Sequence, residues 1–155
     1  MKKNKVFRAA IVVCMMAGLL AGCGNQKKEL DTEALAESLL NDISYQDTLT
    51  ELSSEDISYY ITMEDGVEGI MYMSSGATAE EFAVFTAPDE EVAKGMLTNA
   101  QDFLEAQKQS FEDYIPEEAK RIEDAVVVQQ GKYTVFSVSG ESEQAQKLID
   151  QAFGN

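Results

Sequence analysis

The sequence predicts an α+β protein: a two-layer fold with an antiparallel sheet of about four strands and helices on one face, ordered α-β-β-α-β-β-α. Three observations carry this. AVVVQQGKYTVFSVS (125–139) holds two β-branched runs around Gln130-Gly131-Lys132, the pattern of a hairpin. VEGIMYMSSGA and EEFAVFTA (67–87) form a second strand pair. Between the pairs, apolar residues recur at helical spacing over 89–113.

Asp31 is suited to cap a first helix over 32–41, with Leu35, Leu39, Leu40 and Ile43 near helical spacing. ELSSEDISYYI (51–61) is ambiguous: Ser53 or Ser54 could cap a helical turn, or 57–61 could be strand. Asp65-Gly66 signals a turn before a strand that reaches Ser74, and Ser75-Gly76 breaks it. A second strand covers 81–87. The long helix over 89–113 places Val92, Met96, Ala100, Phe103, Leu104, Gln107 and Phe111 on one face. Pro116 ends it and opens a short helix over 116–124. Strands over 125–129 and 133–139 follow. A last helix starts at Glu141 or Ser142, with Ala145, Leu148, Ile149, Ala152 and Phe153 on one face. Two strand pairs, each followed by a helix, suggest an internal duplication of topology.

The N-terminus reads as an export leader. Lys2, Lys3, Lys5 and Arg8 form a basic head, and AAIVVCMMAGLL (9–20) is wholly apolar. That run is shorter than the ~20 residues a membrane span needs, and its pattern is that of a signal peptide. It ends in Leu20-Ala21-Gly22-Cys23, which resembles the lipobox of bacterial lipoproteins. The resemblance implies that Cys23 takes a diacylglycerol on its sulfur and becomes the first mature residue. The organisation expected is therefore leader 1–22, tether 23–31 and one α+β domain 32–155, held by lipid on the extracytoplasmic face of the cell membrane. Cys14 leaves with the leader and Cys23 takes lipid, so that domain contains neither thiol nor disulfide.

The leader removes four of the 12 basic residues and none of the 28 acidic ones, so the mature part carries eight bases against 28 acids, a net charge of −20. Phosphate backbones repel such a surface, which excludes nucleic acid as a partner. Anionic headgroups repel it too, so the body stands off the membrane. The chain has no histidine and no tryptophan. Serine-histidine, cysteine-histidine and imidazole-metal chemistry are thereby excluded. No phosphate-cradling glycine motif occurs.

Carboxylates remain. Glu80-Glu81 and Glu117-Glu118 are adjacent pairs, but neighbours on a strand point to opposite faces, and acids at a helix start favour the helix dipole. SSEDIS (53–58) and TMEDGVEG (62–69, with Asp65 and Glu68) each bring acids and hydroxyls together without the spacing of a calcium loop; solvated turn acids are the simpler reading. Most aromatic residues sit at core spacing. Tyr59-Tyr60 lie in the ambiguous tract and could line a groove, with core packing the default expectation.

TAEEFAVFTA, the following helix, YIPEEAKRIEDAVVV and GKYTVFSVSGE resemble an uncharacterised domain family of lipoproteins from Gram-positive, clostridia-type bacteria, over about 33–153. The resemblance implies a domain of unknown function. The reading as a whole is a non-catalytic binding or interaction module of the cell envelope, facing an envelope protein or a small ligand and using neither cofactor nor metal. The alternatives are a carboxylate-based envelope hydrolase and a structural spacer.

Overall fold

The structure, a computed structural model, describes residues 29–155. The leader, the lipobox, Cys23 and most of the expected tether lie outside the described residues.

Helix α1 (Thr32–Asp42) starts where Asp31 accepts the Ala34 N–H at 3.0 Å. Strand β1 (Thr50–Glu51) precedes α2 (Ser54–Tyr60), whose cap is Ser53, accepting from the Asp56 N–H at 3.2 Å. This resolves the ambiguous tract as helix. β2 (Glu68–Met73) and β3 (Glu81–Thr86) follow. α3 (Glu90–Glu112) is capped by Asp89, which accepts from the N–H groups of Glu91 and Val92. α4 (Pro116–Glu123) has proline in its first turn. β4 (Val126–Gln130) and β5 (Tyr133–Val138) pair through Gln130 and Tyr133, leaving Gly131-Lys132 as the turn, and Gly131 takes a φ of +59°. α5 (Ser142–Phe153) ends the chain's regular structure.

All five strands form one antiparallel sheet in the order β1-β2-β3-β5-β4. The α+β class holds. The fifth strand, β1, is two residues long, too short to show alternation in sequence.

The helices lie on both faces, not on one as the sequence reading expects. Phe82, Ala83, Val84 and Phe85 are consecutive in central β3, and all are buried. Successive strand residues point to opposite faces, so both faces must be covered. Phe82, Val84 and Val135 join Leu35 and Leu39 of α1 and Ala145 and Ile149 of α5 in one core. Ala83, Phe85, Phe136 and Val138 join Ile57 of α2, Met96, Ala100 and Leu104 of α3, and Ile122 of α4 in the other. With one layer of helices, Phe85 and Phe136 would face water, at about 1.5–3 kcal/mol each.

The hint of internal duplication fails for the same reason. The two hairpins place β3 and β5 side by side at the centre, yet α3 covers one face and α5 the other. At the N-terminus, Leu30, expected in the tether, is buried in the α1–α5 core, and Glu29 pairs with Lys132 at 2.7 Å. The packed domain thus begins before Thr32.

Candidate functional site

The outer edge of β2 borders a cleft of about 610 Å³. Its floor includes Ile70 and Val84, cross-strand partners on the face that α1 only partly covers. Thr32 and Glu33, at the start of α1, stand on one side. Ser54, Ile57 and Ser58 of α2, with Met63 and Val67, stand on the other. Glu68, Gly69 and Thr86 complete the lining. An apolar floor with a few polar groups on the rim, in a volume between about 300 and 1,000 Å³, is the usual form of a binding cleft.

The electrostatics of the cleft follow from the sequence. Residues 29–93 contain 17 acids and no Lys or Arg, whereas residues 94–155 contain 11 acids and six bases. Every residue lining the cleft comes from the first group. Glu33 and Glu68 are exposed, and neither carboxylate forms a hydrogen bond or ion pair with another described residue.

A second constellation is buried. Glu80 lies just before β3, 1% exposed. Its carboxylate accepts from the backbone N–H groups of Gln46 and Asp47 and from the Thr78 hydroxyl, at 2.9–3.1 Å. Glu118, in the first turn of α4, accepts the Ala79 N–H at 2.7 Å. The Arg121 guanidinium lies between them, 2.9 Å from Glu118 and 3.3 Å from Glu80. The sequence reading weighed each adjacent pair as a unit. The fold instead takes one carboxylate from each pair and binds both to one arginine, so the pairs themselves are not dyads. The cluster ties the 46–47 loop, the start of β3 and α4 together.

Glu81 points the other way, toward α3. Its Oε2 accepts from Gln107 Nε2 at 3.1 Å, while Glu81 Oε1 and Gln107 Oε1 have no partner. Burial pushes the Glu81 carboxyl up to about 8, against the opposing hydrogen bond from Gln107. Neither this pair nor the arginine cluster lines the β2 cleft or the smaller ones beside α3–β4 and α1–α5.

The remaining candidates are dispersed. Asp65 is an exposed turn residue, and Glu64 accepts from Asn99 at 3.0 Å. Among the described residues, no group of three or more Asp, Glu, His or Cys side chains is placed to hold a metal ion. Tyr59 and Tyr60 are 75% and 52% exposed and do not pack in the core as the default reading expects. The reason is the helix: with Ile57 and Ile61 turned inward, α2 leaves the two tyrosines on its outer side. They do not line the β2 cleft. Glu33, Ser58 and Gly69 were not singled out in sequence. The signal that could have found their setting is the absence of Lys and Arg over 29–93.

These features define a small α+β domain with an open acidic cleft at one sheet edge and the Arg121 ion pairs held inside. Residues 41–139 match the model of the family described as Domain of unknown function (DUF4358), and the chain belongs to that family. The match runs from the end of α1 to just past β5, so it contains Glu68 and Gly69 but not Glu33. No curated protein and no solved structure matches the chain significantly. No helix among the described residues is long and apolar enough to cross a membrane.

Proposed function

We propose that this protein is a lipid-anchored, extracytoplasmic lipoprotein whose domain is a non-catalytic binding or interaction module of the cell envelope. Leu20-Ala21-Gly22-Cys23 behind a basic and apolar leader supports the address. The observation that carries the binding role is the cleft beside β2, with its apolar floor and unpaired carboxylates. A carboxylate hydrolase would need two acids converging in an accessible pocket. The converging acids, Glu80 and Glu118, are instead buried and bonded to backbone and Arg121.

The test is crosslinking in the native membrane from a photoreactive residue placed at Ser58, followed by mass spectrometry, with Cys23→Ala as the mislocalised control. The expected result is a reproducible envelope partner that disappears in the control, whose precursor stays uncut and without lipid. Normal maturation of Cys23→Ala would overturn the address. Absence of any captured species would overturn an interaction role for the cleft.

A further inference from the structure

We propose that the β2 cleft binds a short extended peptide, basic at its flanks and apolar at its centre, that adds to the sheet as a strand alongside Gly69. This rests on the binding role above and names the chemistry of the partner.

The first observation is the direction of the backbone groups. The Leu52 N–H donates to the Met71 carbonyl at 2.9 Å, across the outer edge of β2. The Ser74 N–H donates to the Glu80 carbonyl at 3.0 Å, across the inner edge. In an antiparallel ladder, alternate residues direct both peptide groups to alternate sides. Gly69 therefore turns its N–H and carbonyl outward, as Met71 does. Met71 meets Leu52, but the chain then leaves the sheet at Ser53 to start α2. Gly69 is left without a strand partner on that edge, inside the cleft. An unpaired edge is a template for another chain, and main-chain pairing supplies affinity while flanking pockets select side chains.

The second observation is what flanks that edge. Half-buried Met63, Val67 and Ile70 offer apolar surface on both sides of β2. A peptide strand places alternate side chains on those two sides. The third is charge. Glu33 and Glu68 have no cationic partner among the described residues, and 29–93 supplies none. The field attracts Lys or Arg side chains and repels acidic peptides. A small organic cation would meet the carboxylates but leave the Gly69 peptide groups unmatched. The opposite edge strand, β4, belongs to residues 94–155, where all six described cationic side chains lie.

The probe is fluorescein-labelled Lys-Thr-Val-Thr-Lys, amidated at its C-terminus, titrated by anisotropy against the full-length protein in neutral detergent at low salt. Two analogues carry an N-methyl group on the central Val or on the adjacent Thr. The expected result is saturable binding of the parent peptide, none of Glu-Thr-Val-Thr-Glu, and at least a tenfold loss with the double variant Glu33→Lys/Glu68→Lys. Both substituted positions are exposed, and far-UV circular dichroism checks that the variant is folded. Only one of the two methylated analogues should lose binding, because alternate N–H groups face the sheet. Equal affinity of both analogues with the parent would overturn strand addition. Undiminished binding by the double variant would overturn this cleft as the place. No binding of the parent peptide would overturn the proposal outright. The crosslinking result at Ser58 judges the wider binding role separately.

Discussion

Glu81 sits where a carboxylate cannot keep its charge without loss. Its carboxyl titrates at about 8 in the fold instead of near 4.5, because burial disfavours the ionised form. Below about pH 4.5 both folded and unfolded chains hold the proton, and the stabilisation is complete. Between about 4.5 and 8 the folded state keeps a proton that the unfolded state has released. Stability from this group therefore falls as pH rises through that window, with a slope approaching about 1.4 kcal/mol per unit. Glu81→Gln keeps the shape and the bond to Gln107 without a titrating proton. Urea unfolding of the variant at pH 5, 6.5 and 8 should show a flatter profile than the wild type. An equally steep decline would place the dependence on another group. Glu80, its neighbour, has the opposite solution: three hydrogen-bond donors and a guanidinium surround its charge. Sequence could show that the two glutamates point apart. It could not show that one would meet Arg121, because the residues that join them are about forty positions away in the chain.

At the scale of elements, caps and periodicity were legible. Asp31 and Asp89 begin helices where their side chains can accept exposed N–H groups, and Gly131 closes a hairpin where a positive φ is needed. What escaped was β1, whose two residues form a strand only because Met73 and Tyr72 lie beside them. The role of Gly69 was also hidden. A Cβ at that position would lie 2.7 and 2.8 Å from ring carbons of Phe85, its cross-strand partner. The phenyl ring occupies the space that any other residue would fill. Gly69→Ala should therefore destabilise the fold by about 1–3 kcal/mol through overpacking, read as a lower urea midpoint. An unchanged midpoint would mean that the Phe85 ring has room to shift.

For the whole molecule, charge and layering dominate. Residues 29–155 carry 28 acids against six bases, a net charge of −22 that repels itself when compact. Screening lengths fall from about 30 Å at 0.01 M salt to a few ångströms at 1 M. Raising NaCl from about 0.01 to 0.5 M should therefore raise the Tm by several degrees, measured by circular dichroism. A flat response would show that the acids are already spaced widely enough not to matter. The sequence by itself determined the element types, most of their bounds, the acidic surface, the exclusion of histidine chemistry and the absence of a thiol from residues 29–155, because these follow from local backbone preference and from composition. The unbroken apolar run Phe82–Phe85 also carried the sign that both sheet faces are buried. Only the tertiary structure decided which helix covers which face, which carboxylate meets Arg121, and where an unpaired sheet edge opens into a cleft. Those outcomes depend on residues far apart in the chain that become neighbours only once two cores have formed on opposite sides of one sheet.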